Sequence, residues 1–192
     1  MNMESLFMRN IIALALSVAA LFVAAGPMRA AVQYPLTLTL DAQMKAGETT
    51  VNTKVTVQVD RAMENVRRTR VTDALKFGGY QNFLNALRAV PAVGSIRTQS
   101  TKVDVRYTRE DQAGDSTRLV LIADQPLSFI SSNPTKGKVG FELTLMDLTI
   151  DSKGGITGKL AAAGRVRPSP EGGVLLDTYA DQLIDLKGQV AK

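Results

Sequence analysis

Residues 34–42 read YPLTLTLDA, with Leu36, Leu38 and Leu40 on one side and mainly threonine on the other. Strict alternation of apolar and polar side chains is typical of a β-strand with one buried face. Residues 49–60, TTVNTKVTVQVD, repeat the pattern with valines on one face, from Val51 to Val59. The short link MKAGE between the two runs predicts a β-hairpin.

Alternating runs continue through most of the chain. They are STKVDVRY (Val103, Val105, Tyr107), TRLVLIAD and KVGFELTLMDLTID (Val139, Phe141, Leu143, Leu145). Two last runs, ITGKLAAAGRV and GVLLDTYADQLIDLKGQ, would complete the sheet, and the links EDQAGDS, SSNPTKGK, DSKGG and RPSPEGG are rich in turn-forming residues. In the third run the apolar phase slips near Met146, which predicts a β-bulge or a bend that returns Leu148 and Ile150 to the same face. The pattern predicts a mainly β fold, an antiparallel barrel or sandwich of about seven to nine strands.

One segment has helical spacing instead. Its apolar positions are Ala74, Leu75, Tyr80, Phe83, Leu84, Leu87 and Val90. The spacing predicts one helical insertion at about residues 72–90, between the second and third strands, with Thr72 or Asp73 as its N-cap and an end before Pro91. Gly78-Gly79 interrupts it, so we expect two short helices or one sharply bent helix. We expect the apolar stripe to cover the sheet.

The first residues have the order of a secretory signal peptide. Arg9 precedes an apolar run from Ile11 to Ala25 that contains Ser17, and small residues surround Ala30 and Ala31. A charged, then apolar, then small-residue order predicts cleavage near Ala30 or Ala31. We therefore expect a signal peptide at residues 1–30, a single β-rich domain at 31–192 with no transmembrane segment after cleavage, and a periplasmic or secreted location.

Composition excludes much active-site chemistry. The 192 residues contain neither His nor Cys, so thiolate nucleophiles, imidazole bases and the usual zinc or copper ligands are missing. We expect no catalytic, cofactor-binding or metal-binding residue and no cofactor. Paired carboxylates remain available, with candidates at Asp124, Glu142, Asp147, Asp177 and Asp181. Ser152-Lys153 and the Asp-rich loops DSKGG and EDQAGDS offer weaker signals for a nucleophile and for calcium, which we interpret as turns.

The net charge is modestly positive. Twenty-three basic and 18 acidic residues give +5, and RAMENVRRTR brings Arg67, Arg68 and Arg70 together just before the predicted helix. This cluster is either a solvated loop or a weak contact for a polyanion or the envelope surface. Aromatic residues are not interleaved with the arginines, so we expect no nucleic acid to bind.

Four blocks carry a resemblance to known sequences: LKFGGYQNFLNALRAVPAVGSIRT, RLVLIADQPLSF, FELTLMDLTIDSKGGITGKL and YADQLIDLKGQ. From about Val71 to Gly188 the chain resembles a family of uncharacterised secreted bacterial proteins of unknown function. The resemblance implies one exported domain, and it assigns no activity to any residue.

These observations favour an exported protein that acts as a non-catalytic binding or structural module. Two alternatives stay open at this point. One is a His-free hydrolase that uses two carboxylates in the mouth of the sheet, and the other is a carrier with an apolar ligand inside a barrel.

Overall fold

A computed structural model describes residues 32–46, 49–129, 139–179 and 183–190. These residues contain nine strands and one helix: β1 Leu36–Ala46, β2 Thr49–Val59, α1 Asn65–Ala89, β3 Gly94–Arg97, β4 Lys102–Ala113, β5 Ser116–Ala123, β6 Leu143–Ile150, β7 Gly155–Pro168, β8 Val174–Tyr179 and β9 Ile184–Val190. The predicted signal peptide lies outside the described residues.

Eight of the strands close into an antiparallel barrel. Their order is β6-β5-β4-β3-β2-β1-β9-β7, and a further pairing of β6 with β7 completes the circle. Strand β8 pairs with β7 alone and is not part of the closed ring. The sequence left barrel and sandwich open; the fold is a barrel, with the helical insertion between β2 and β3 as predicted.

The barrel interior is made by the side chains that alternate in the sequence. In the β1–β2 hairpin Leu38 pairs with Val57 and Leu40 with Val55, and all four are fully buried. Val51 has the same parity but is 42% exposed, because it lies towards the far end of the hairpin. An eight-stranded barrel is about wide enough for its own side chains to fill, and these residues form that core.

Strand β4 departs from the predicted pattern at Arg106. Val105 pairs with Ala123 and Tyr107 with Ile122, so a β-bulge lies between Val105 and Tyr107. The extra residue moves Tyr107 to the opposite face from Val105, and the prediction that Val103, Val105 and Tyr107 share one face is wrong. The strand also continues to Ala113, so most of the predicted turn EDQAGDS is strand.

The predicted bulge near Met146 is also wrong. The register of β5 against β6 is unbroken from Thr144 to Ile150, and the irregularity with β7 falls between Leu143 and Leu145. The apolar phase slips because both faces of β6 are covered: Leu145 is on the outer face and is only 6% exposed. Val139, predicted in the same strand, precedes it and is 93% exposed.

Leu145 is covered by an arm, defined here as residues 164–179, which comprises the end of β7, the turn and β8. Strand β7 bends sharply before it: a Cβ on Gly164 would lie 3.3 Å from Ala161 Cβ, where a straight strand gives about 10 Å. The bend returns the arm across the outer face of the barrel. Its turn is held there by Arg109 of β4, which donates a hydrogen bond to the carbonyl of Gly172.

Helix α1 begins seven residues before the predicted start at residue 72. Its N-cap position is Glu64, without a side-chain capping hydrogen bond, and Thr72 donates to the Arg68 carbonyl inside the helix. Neither Thr72 nor Asp73 is therefore the cap. Local pairs support the extra turns, since Arg67 binds Glu64 at 3.0 Å across one helical turn.

The predicted break at the glycines is confirmed. Gly79 has φ 74° and ψ −173°, a conformation that is essentially restricted to glycine. A Cβ on Gly78 would lie 2.2 Å from Asn82 Nδ2, so a larger residue there would displace the Asn82 side chain. Phe83, Leu84 and Leu87 of the second helical segment are buried in the core, as predicted.

Candidate functional site

The first segment of α1, residues 65–78, has a buried side and an outward side. Val71 and Leu75 face the core. The exposed residues Val66, Arg70, Asp73 and Phe77 are spaced by four, three and four positions, so they form one stripe on the opposite side. Val66 is 81% and Phe77 78% exposed, so this stripe presents two large apolar side chains to solvent. We call residues 66–77 on this side the outer stripe.

Helix formation separates the three arginines that the sequence grouped. Arg68 is half-buried and donates to Asn65 Oδ1 at 2.6 Å, and Arg67 is paired with Glu64. Arg70 is exposed on the outer stripe, and the described residues show no ion pair for it. Of the predicted contact residues Arg67, Arg68 and Arg70, only Arg70 therefore points outward without a recorded acidic partner.

Lys76 and Phe77 add a second outward cation and an aromatic anchor. The Lys76 ammonium lies 5.1 Å from the centre of the Phe77 ring. A cation over an aromatic face is attracted by the ring quadrupole, and both side chains stay accessible here. The pair lies beside Gly78-Gly79, at the tip of the bent helix.

The bend is held against the barrel by Tyr80. Its hydroxyl donates to Glu142 Oε2 at 2.7 Å, and the Arg165 guanidinium of the arm lies 4.9 Å from its ring centre. Burial and the Glu142 carboxylate raise the pKa of Tyr80. Burial alone would raise the pKa of Glu142, but the hydrogen bonds from Tyr80 and Gly140 outweigh it, so the pKa is lowered. The contact therefore positions the tip and its exposed Phe77.

Among the described residues, the candidate carboxylates contact arginine or tyrosine and show no contact with one another that would make a general acid and base pair. Asp181 lies outside the described residues, and each of the other four has a partner of its own. Asp124 binds Arg106, Glu142 binds Tyr80, Asp147 binds Arg118, and Asp177 lies near Arg165 and Arg167. Within the described ranges, no three acidic side chains are grouped in a way that could hold a metal ion.

The Asp-rich loop DSKGG is held by hydrogen bonds from its own backbone amides. Asp151 Oδ1 accepts hydrogen bonds from the amides of Lys153 and Gly155, both at 2.8 Å, which makes DSKGG a side-chain-stabilised turn. Ser152 and Lys153 are exposed in that turn, so nothing desolvates the lysine to lower its basicity.

No protein-family model matches the chain, and neither a curated protein nor a solved structure matches it. The resemblance to secreted bacterial proteins therefore stays a prediction. In the part of the chain that the structure describes, no helix combines the length and apolarity needed to cross a bilayer.

Sequence reasoning missed Val66, Lys76 and Phe77. The signal is the spacing of 11 between Val66 and Phe77, three helical turns, which becomes visible only when the helix begins at Asn65. The arginine-rich segment lacks apolar periodicity of its own, so the sequence favours a loop there. In the fold it is helical, and its outward side has no core to contact.

Proposed function

We propose that this protein is an exported, non-catalytic binding module that docks reversibly on anionic lipid surfaces through the outer stripe of α1. The observation that carries the proposal is the exposed Phe77 beside Lys76, at the tip of a bent helix. Amphipathic helices that lie on membranes combine such apolar anchors with basic residues.

The expected attraction is weak. A basic residue near an anionic membrane surface contributes about 1 kcal/mol, and the exposed acid Asp73 on the same stripe opposes it by about the same amount, so Arg70, Lys76 and Asp73 together contribute about 1 kcal/mol. Burial of a phenylalanine side chain adds about 2 kcal/mol. The total of about 3 kcal/mol corresponds to a dissociation constant of about 6 mM for one molecule, which is suited to transient surface contact.

The two alternatives have less support. A hydrolase needs two cooperating carboxylates. Asp124, Glu142 and Asp147 each bind an arginine or a tyrosine at 2.6–3.0 Å, and Asp177 lies 3.9 Å from two arginines. A ligand inside the barrel needs space, and the inward-facing positions such as Leu40, Leu121 and Met146 carry buried apolar side chains that pack together.

The proposal is tested by sedimentation with vesicles of phosphatidylglycerol and phosphatidylcholine. We expect binding that rises with the fraction of phosphatidylglycerol and falls with added salt, because the cations act through screened charges. Phe77→Ser and the double variant Arg70→Gln/Lys76→Gln should each reduce the bound fraction several-fold.

Arg97→Gln is the matched control, since Arg97 is an exposed arginine on β3 outside α1. It should bind like the unmodified protein. If Arg97→Gln lost as much vesicle binding as the α1 variants, net charge alone would explain the effect. Unchanged binding of Phe77→Ser would contradict docking through the tip.

A further inference from the structure

A cavity of about 300 Å³ lies between the outer face of the barrel and the arm. This volume is at the lower end of the range of about 300–1,000 Å³ that is typical of small-molecule sites. The floor is formed by β5, β6 and β7, and the arm contributes the facing wall. The apolar lining residues are Val120, Leu145, Ala161, Val174, Leu175, Leu176 and Leu183.

The apolar floor exists because β5 and β6 carry apolar side chains on their outer faces. Val120 and Leu145 belong to the outward set of their strands, and they are 4% and 6% exposed. The outward positions of β1 that water covers, such as Thr37 and Thr39, are polar instead. The arm therefore shields an apolar strip without filling the space above it.

Charged side chains surround this strip unequally. Arg118, Lys159 and Arg167 line the cavity together with a single acid, Asp147. Arg118 holds Asp147 with two hydrogen bonds, at 2.9 and 2.6 Å, so that end of the cavity is neutralised. Lys159 forms a close ion pair with Asp185, which does not line the cavity.

Arg167 is the cavity cation that has hydrogen-bond donors available for a ligand. Its nearest recorded acidic contact is Asp177, where the Nε to Oδ1 distance is 3.9 Å. A hydrogen bond requires about 3.2 Å or less, so this contact leaves the guanidinium fork available. The side chain is 54% exposed, at the rim of the cavity.

We propose that this cavity binds a medium-chain fatty acid as its carboxylate. The alkyl chain lies on Val120, Leu145 and Ala161, and the carboxylate accepts hydrogen bonds from Arg167 at the rim, with Lys159 nearby. Arg167 fits a carboxylate because a guanidinium can donate two parallel hydrogen bonds to it. The small volume favours a short alkyl chain over a long one.

The test is calorimetric titration of the purified protein with octanoate. Octylammonium is the control with the opposite charge, and acetate is the control without the long alkyl chain. We expect saturable binding of octanoate, at least tenfold weaker binding of octylammonium, and none of acetate. Equal affinity for octanoate and octylammonium would overturn the proposal, since it would mean that the cations do not select the ligand.

Variants locate the site. Arg167→Gln should weaken octanoate binding at least fivefold, while the control Arg97→Gln leaves it unchanged. Ala161→Val should weaken octanoate binding because the larger side chain fills space above the cavity floor. Thermal melting of this variant shows whether it is folded. If Ala161→Val is unfolded, the result with Arg167→Gln decides. Unchanged affinity in Arg167→Gln refutes the site. Vesicle docking involves other residues, so either proposal can fail without the other.

Discussion

Replacement of Gly79 by alanine tests the bend in α1. Nothing lies within 4 Å of the position where the new Cβ would be, so the substitution creates no clash. The cost is in the backbone, because φ 74° with ψ −173° is a region that residues with a Cβ avoid, at about 1–3 kcal/mol. In a continuous helix the same change would instead stabilise the protein by about 1 kcal/mol.

The assay is thermal unfolding followed by circular dichroism. For a domain of this size 1 kcal/mol shifts the melting temperature by about 2–4 °C, so a cost of 2 kcal/mol lowers it by about 4–8 °C. Gln81→Ala, at an exposed position in the second helical segment, should change melting little. A higher melting temperature in Gly79→Ala would refute the bend.

Three further changes have clear expectations. Leu87→Ala should destabilise the protein by about 2–5 kcal/mol because Leu87 is fully buried, whereas exposed Asn85→Ala should leave chemical denaturation nearly unchanged. Glu142→Gln should reduce the loss of stability at acid pH, measured as the free energy of unfolding against pH. The folded state lowers the pKa of Glu142, which adds stability above the unfolded-state pKa of about 4.5. That stability is lost as the pH falls through the folded-state pKa. Arg106→Met should lower the free energy of unfolding in urea by about 2 kcal/mol. The Asp124 side chain is only 9% exposed, and the substitution removes the arginine that binds it at 3.0 Å. A loss below about 0.5 kcal/mol would contradict that role.

The strands and the bend in the helix could be predicted because local patterns determine them. Leu36, Leu38 and Leu40 alternate, and they form one buried row of β1. Gly78-Gly79 marks the bend because few other residues tolerate its backbone. Both signals depend on residues close together in the chain.

The errors arose where distant parts of the chain meet. Leu145 breaks the alternation of β6 because the arm covers it, and Tyr107 changes face because a bulge inserts Arg106. The cavity beneath the arm depends on a bend in β7 near Gly164, and no short sequence motif predicts that bend. The position of the arm comes from tertiary contacts such as the one between Arg109 and Gly172.

Docking through the tip of α1 is tested most directly by Phe77→Trp, because the chain contains no Trp and the new side chain would be the only indole. With phosphatidylglycerol vesicles we expect a blue-shifted emission and quenching by brominated acyl chains, both reversed by salt. Val51→Trp, at a partly exposed position on β2, is the control and should show neither. Unshifted emission from Phe77→Trp, or equal quenching of both indoles, would contradict docking through this tip.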